Sequence, residues 1–252
     1  MTTLGFQKIG FGPHKVVALH GWFGDHTTFD AMHNALSHEE FTYIFPAYRG
    51  YGLSRELTGR LTIEEMASDV ITLADDLGWE TFSIIGHSMS GKVAQRVIVD
   101  FRSRVRKVVA VTAVSAHAVP FDAEGRKLFE GAAHSVENRK VILGSSTGNR
   151  LTKAWIERTA RHSLKTVTID AFAGYFEAWS KTDFASEVVG SGVAIKIIVG
   201  EHDPVLTEEV MRQTYLTQFP DAELEVMPNT GHYPMDETPI ALTASIEAFL
   251  RK

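Results

Sequence analysis

The stretch GHSMSGK, residues 86 to 92, follows the apolar run Phe82 to Ile85 without a break and sets Ser88 among small residues. A serine hydroxyl is a weak nucleophile at neutral pH, so chemistry at Ser88 requires a base within hydrogen-bond reach and a third group that orients the base. Small neighbours suit a sharp strand-to-helix turn, which brings backbone segments close together. A plain loop serine is the other reading of the same residues. Two further stretches offer the missing groups: GEHDPV carries Asp203 after the apolar run Ile195 to Val199, and PNTGHYPMDETP carries His232 after Leu224 to Val226. As parallel strands, these runs would send their loops to one edge of a sheet, where open α/β folds bind ligands. Ser88, Asp203 and His232 can then converge. Taken alone, Asp203 before Pro204 is a turn residue; Glu201 and Asp122 are the reserve acids.

The elements that must position these groups are visible as short, fully apolar runs. Val16 to Leu19 ends at HGWFGD and Tyr43 to Phe45 ends at PAYRGYG, both glycine-containing turns, and Val108 to Val111 adds another strand. Between them lie helical patterns. Thr62 and Glu65 form a capping-box pair before Ile63, Met66, Ala67, Val70, Leu73, Ala74 and Leu77, which recur at helical spacing up to Gly78. Asp30 to Leu36 can form a helix, residues 93 to 98 repeat helically after the elbow, and a closing helix is expected over about 240–250 with Thr238 as its cap. Continuous apolar strands alternating with amphipathic helices predict an α/β fold, a mostly parallel central sheet with helices on both faces.

One segment breaks the alternation. From about Pro120 to Asp183 there are helical stretches, including 153–161 and 169–179, but no buried strand pair. This predicts an inserted helical cap over residues 119–185, with a core formed by 1–118 and 186–252. GSSTGNR at 144–150 lacks the lysine and following Ser/Thr of a phosphate loop, so it reads as a cap turn. Trp155, Phe172, Tyr175, Phe176 and Trp179 form an aromatic group in the cap, mostly core packing. Because a cap lies over the catalytic edge, Trp155, Tyr175 and Trp179, with Phe23 and His87 from the core loops, are the candidates for an apolar pocket wall.

Composition narrows the partners. The chain has 252 residues, which suits one α/β domain with an insertion. Its formal charge of -6, from 25 Lys+Arg against 31 Asp+Glu, and the lack of a long basic block argue against nucleic acid. No cysteine is present, which removes disulfides, cysteine nucleophiles and cysteine metal sites. The 11 histidines show no HExxH or other close ligand pair, so no metal is expected. The N-terminal residues lack a signal-like apolar core and no run reaches the length of a membrane span, so a cytoplasmic protein is expected.

Five segments in order, HGWFGD, YRGYGLS, GHSMSGK, GEHDPV and GHYPMDE, resemble the α/β-hydrolase superfamily from about residue 16 to the end, with the cap the least recognisable part. The resemblance implies that Ser88 is the nucleophile, that His232 acts as general base and then acid, and that Asp203 fixes the histidine tautomer. It further implies an oxyanion hole made by the backbone N–H groups of Met89 and Trp22, with Phe23 as the alternative donor, and a bracing role for His20. Two departures stand out: Ser90 replaces the usual glycine of the elbow, and Ala47 replaces an aspartate commonly found two residues before the arginine matched by Arg49. A serine nucleophile argues against the haloalkane dehalogenases and epoxide hydrolases of the superfamily, which use a carboxylate. The expected function is hydrolysis of a carboxylic ester or lactone of a small apolar molecule through an acyl-serine intermediate, without cofactor or metal. Amides, thioesters, C–C bond cleavage and perhydrolysis remain open on the same triad. The alternative from another class is a small-molecule receptor or signalling regulator that retains the triad, since some such relatives carry a serine where Ser90 stands.

Overall fold

The computed structural model describes residues 3–252. Seven strands form one sheet: β1 (Phe6–Ile9), β2 (His14–Leu19), β3 (Phe41–Pro46), β4 (Phe82–His87), β5 (Val105–Val111), β6 (Ala194–Gly200) and β7 (Glu223–Met227), in the spatial order β1-β3-β2-β4-β5-β6-β7. Only β1 runs antiparallel, paired with β3; the other neighbours are parallel. Every residue of β3 and β4 is buried, as expected of strands covered on both faces. β1 is absent from the sequence reading for a physical reason: FQKI is partly exposed along its length and lacks the apolar run that marks the inner strands.

The chain order reverses direction at β2, which lies between β3 and β4. The carboxyl ends of β2 and β4 therefore form a switch point, the place where open α/β sheets leave room for a ligand. HGWFGD follows β2 and the Ser88 turn follows β4.

Helices α1 (Ile63–Asp76) and α2 (Ser90–Asp100) pack on each other beside the inner strands. Between β5 and β6 the chain makes α3 (Ala123–Gly131), α4 (Val136–Ser146), α5 (Lys153–Thr166), α6 (Ile169–Lys181) and α7 (Ala185–Val188), a helical excursion. The short α8 (Glu208–Gln213), α9 (Tyr215–Gln218) and α10 (Pro234–Glu237) precede the closing α11 (Pro239–Arg251). Among the described residues no helix is long and apolar enough to cross a membrane.

Local chemistry corrects three details. Thr62 Oγ1 caps α1 by accepting from Glu65 N at 3.2 Å, but Glu65 Oε2 returns to Leu61 N at 2.8 Å, one residue earlier than a capping box requires. Thr238 precedes α11 without a side-chain cap; Pro239 starts that helix, its fixed φ suited to the first turn and its missing N–H costing nothing there. Asp30–Ala35 winds as a 3₁₀ segment instead of an α-helix.

Among the polar contacts that tie the helical excursion to the core, two are centred on buried charged side chains, Lys92 and Asp25. Lys92, fully buried on α2, donates to the carbonyls of His117 (2.8 Å), Trp179 (2.7 Å) and Thr182 (2.6 Å), at the beginning and end of the excursion. Among the described residues its ammonium forms no ion pair within 4 Å, and burial, only partly offset by the charge of Asp183, lowers its pKa to about 8. Asp25, buried after β2, accepts from His162 Nε2 of α5 at 3.0 Å and from Thr27 N and Oγ1 at 2.9 and 2.6 Å.

Lys92→Met keeps the apolar stem but takes the donor from one buried carbonyl and two part-buried ones, the buried one worth about 1–3 kcal/mol when unsatisfied and the others less. Relief of the buried charge offsets part of this, so Tm is expected to fall by about 5 °C for a domain of this size; an unchanged melting curve would refute the role of this clamp. The Asp25–His162 pair has a pH signature. Burial alone raises the Asp25 pKa, yet the bonds from His162 and Thr27 outweigh it and hold the carboxyl well below its ordinary 3.8, while the bond to Asp25 raises His162 above 6.5. The depressed acid contributes stability above its unfolded value and loses it toward lower pH; the raised histidine contributes below its unfolded value and loses it as pH climbs through the folded one. The Tm difference between wild type and His162→Gln is therefore expected to be largest between those two ordinary values, 3.8 and 6.5, and to shrink at either side.

Candidate active site

The turn after β4 has the geometry that its small residues suggest. Ser88 adopts φ +53, in the left-handed region that side chains other than glycine rarely occupy. Its N–H donates to Val111 O at 3.1 Å and its carbonyl accepts from Val114 N at 2.9 Å, so β5 and the loop beyond it hold the turn in place. A Cβ at Gly86 would come within 2.7 Å of Ser90 O, and one at Gly21 within 2.9 Å of Ser88 Cβ. Neither position has room for a side chain.

His232 joins Ser88 to Asp203. Its Nε2 lies 2.9 Å from Ser88 Oγ and its Nδ1 2.6 Å from Asp203 Oδ2. Asp203 is buried, and its other oxygen accepts from the amides of Val205 and Leu206 at 2.9 and 3.0 Å. Burial alone pushes the carboxyl pKa up, but the facing His232 and these two amides outweigh it, so the acid is held below its ordinary range. With Asp203 ionised, His232 carries its proton on Nδ1 and presents Nε2 as an acceptor to the serine hydroxyl. The reserve acids are engaged elsewhere: Asp122 Oδ1 caps α3 through Gly125 N, and Glu201 Oε2 accepts from Asn229 N.

The glycine loop after β2 lies against this turn. His20 is buried, donates from Nδ1 to Gly21 O at 2.8 Å and accepts from Tyr48 N at Nε2, which braces two loops at once. Burial lowers its pKa to about 4, so it is neutral and able to do both. Ser90 donates to the His20 carbonyl and accepts from the Tyr48 hydroxyl at 2.7 Å, a link between elbow and loop that glycine would lack. Trp22 is fixed by its ring N–H on Phe172 O (2.7 Å), by stacking on Phe172 and by Tyr51 donating to its carbonyl. Among the described residues the backbone N–H groups of Trp22, Phe23 and Met89 meet no protein acceptor. Arg49, which lacks the aspartate at position 47, takes a bidentate partner from α1 instead: Asp69, at 2.6 and 2.7 Å.

A cavity of about 220 Å³ opens onto Ser88, Asp203 and His232. Phe23 and Trp179 line it, together with Trp22, Phe121, Phe129, Ile142, Val205 and Leu206. Three pocket candidates stand elsewhere. Tyr175 faces the other way along α6, packed on Tyr48 and Tyr51. Trp155 donates to Asp236 Oδ2 and meets the back of Tyr233. His87 is buried beneath the turn, where Nε2 donates to the His232 carbonyl at 2.9 Å; burial lowers its pKa to about 3 and keeps it neutral. Several wall residues missed in the sequence follow the triad directly: Val205 and Leu206 come after Asp203, and Tyr233 after His232. Phe129 and Ile142 come from α3 and α4, whose packing no local pattern specifies. Among the described residues no group of three or more histidines and acids is placed to hold a metal.

Comparison with known proteins bears on this geometry. The profile of the alpha/beta hydrolase family matches residues 16–246. A serine hydrolase-like protein of Dictyostelium discoideum is 26% identical over 62% of the chain, and the match spans 46% of that protein's length. A 3-oxoadipate enol-lactonase of Acinetobacter baylyi is 23% identical over 81% of the chain and 76% of its own length. Among solved structures, an esterase from Exiguobacterium antarcticum superposes with a TM-score of 0.87 at 21% identity, covering 98% of this chain and 95% of that one. With a family profile spanning most of its length and a shared architecture behind it, this chain belongs to the alpha/beta hydrolase family.

Proposed function

We propose that this protein is a serine hydrolase that cleaves a carboxylic ester or lactone of a small, uncharged, apolar molecule. The observation that carries the reading is the unbroken chain of hydrogen bonds from Ser88 Oγ through His232 to Asp203 at the floor of an apolar cavity. In this reading His232 Nε2 takes the Ser88 proton as Oγ attacks the carbonyl carbon, and Asp203 stabilises the resulting imidazolium. The unpartnered N–H groups of Trp22 and Met89 receive the oxyanion. Collapse of the tetrahedral intermediate breaks the C–O bond, and His232 returns the proton to the leaving alcohol. A water activated by the same histidine then releases the acid and restores Ser88. No step calls for a cofactor.

The cavity supports the choice of substrate. Among the described residues its lining carries no lysine or arginine, and its one carboxylate, Asp203, is already committed to His232. A carboxylate-bearing substrate would lose its hydration without gaining a partner, a cost of several kcal/mol. The volume of about 220 Å³ compares with about 150 Å³ for a cavity that takes one benzene ring. An acyl chain of medium length or a single ring therefore fits.

Active-site-normalised hydrolysis of p-nitrophenyl esters tests this. Ser88→Ala is expected to lower kcat by about 10⁴-fold or more, and Asp203→Asn by about 10⁴-fold through loss of the correct tautomer. Many turnovers per molecule in the wild type are expected; a single burst of one equivalent would favour a receptor, and undiminished turnover in Ser88→Ala would refute the serine mechanism. A matched pair sizes the charge effect: kcat/KM for p-nitrophenyl hemisuccinate is expected to be at least about 10²-fold below that for the butyrate ester, as burial of an unpaired carboxylate requires. Comparable rates would show that the charged end stays in water or finds a cation.

A further inference from the structure

The turn between α4 and α5, read from the sequence as an ordinary bend in GSSTGNR, reaches out of the helical excursion to the loop that carries His232. We infer that Arg150 in this turn is a positioning residue for His232, acting through Glu237. The inference rests on the reading of Ser88, His232 and Asp203 as the reacting set.

The chain of contacts is continuous. Glu237 has a side chain only 2% exposed, and its two carboxylate oxygens accept from Gly231 N at 2.9 Å each and from Tyr233 N at 3.2 Å. Those amides belong to the residues immediately before and after His232. Arg150 Nη1 pairs with Glu237 Oε2 at 3.0 Å, and Nη2 donates to Asn229 O in the same loop at 3.1 Å. The backbone beside Arg150 supports the arrangement: Ser146 O, at the end of α4, accepts from His232 N at 3.2 Å, and Thr147 lies so close to Gly231 that a Cβ there would fall 2.8 Å from Thr147 Cα. On the opposite side, His87 Nε2 and Thr112 Oγ1 hold the His232 carbonyl. The His232 backbone is thus gripped from the core by its carbonyl and from the excursion by its amide.

Without Arg150, Glu237 would be a nearly solvent-free carboxylate lacking its cation, a state costly enough that the side chain turns toward water. That turn weakens its hold on the amides at 231 and 233, and the imidazole between them drifts relative to Ser88 Oγ. Proton transfer is sensitive to such drift, since a displacement of about 1 Å costs up to about 10²-fold in rate. The negative end of α4 adds a smaller effect of the same sign, because it rests against the residue that becomes a cation when Ser88 attacks. Arg150 lies outside the cavity wall, so substrate binding should be spared.

The test is kinetics of Arg150→Met and Arg150→Lys, with active sites titrated by a fluorophosphonate that labels Ser88 and with Ser88→Ala as the reference. Arg150→Met is expected to lower kcat per titrated site by about 10-fold while KM stays within about two-fold, and lysine, which restores the charge but not both bonds, to recover to within about three-fold of wild type. In a Glu237→Gln background the same methionine substitution is expected to cost little more, since the buried charge it uncovers is gone. Arg161→Met, which removes an exposed pair with Glu157 on α5, is the control expected to leave kcat unchanged. A kcat for Arg150→Met within about two-fold of wild type per titrated site, or a loss confined to KM, would overturn the inference. Full activity in Ser88→Ala would instead overturn the reading on which it rests.

Discussion

The whole arrangement depends on holding one serine in a backbone conformation it would not choose. At φ +53, Ser88 carries a local cost of about 1–3 kcal/mol that its surroundings must meet. They do so with hydrogen bonds from both sides of the turn, Ser88 N to Val111 O and Val114 N to Ser88 O, and with two neighbours that have no side chain in the way, Gly86 and Gly21. The strain has a use. A relaxed strand residue would point its hydroxyl into one face of a buried sheet, whereas this turn lifts it out of the sheet edge and toward His232.

The consequences spread along the sheet edge. Because β4, β6 and β7 are parallel and adjacent through β5, the loops that follow them emerge on one side, and Ser88 meets Asp203 and His232 although more than a hundred positions separate it from either. The electrostatics follow from the same placement. Asp203 is kept ionised in a buried position by His232 and two backbone amides, and this fixed negative charge selects the histidine tautomer. His20 and His87 flank the site and are driven neutral by burial, so neither adds a competing positive charge. Among the described residues His232 is the histidine hydrogen-bonded to Ser88.

The inner strands and the tight turn that carries Ser88 were legible because they obey local rules. A strand buried on both faces must be apolar at every position, and a turn that admits no Cβ must be small, so Phe82 to Ile85 followed by GHSMSG declares both. β1 was illegible because an edge strand faces water along part of its length, and FQKI carries no run to read. The cavity wall was half legible. Trp179 lines it while Tyr175, one turn earlier on the same helix, packs on Tyr48 and Tyr51; the boundary between core and cavity crosses α6, and periodicity alone gives no sign of where. Ser90 shows the opposite lesson. It departs from the usual glycine, yet its hydroxyl makes a bond that glycine would lose.

The contacts of the helical excursion argue against treating it as a loose cover. Three of its polar anchors end on elements that also carry part of the candidate site. Lys92 shares α2 with the Ser88 turn, Asp25 belongs to the loop that presents Trp22, and Glu237 holds the amides around His232. Swinging the excursion away as a rigid body would break all three, including a buried ammonium and a buried carboxylate that lose their partners, and that combination costs far more than the binding of one small molecule returns. Access must then come from cheaper motions. Val205 lines the cavity and is 61% exposed, so the cavity meets solvent beside the Asp203 loop. Displacing a few apolar side chains at that mouth admits a small molecule while the hydrogen-bond chain behind it stays intact, which couples a rigid hydrogen-bonded centre to a softer apolar wall.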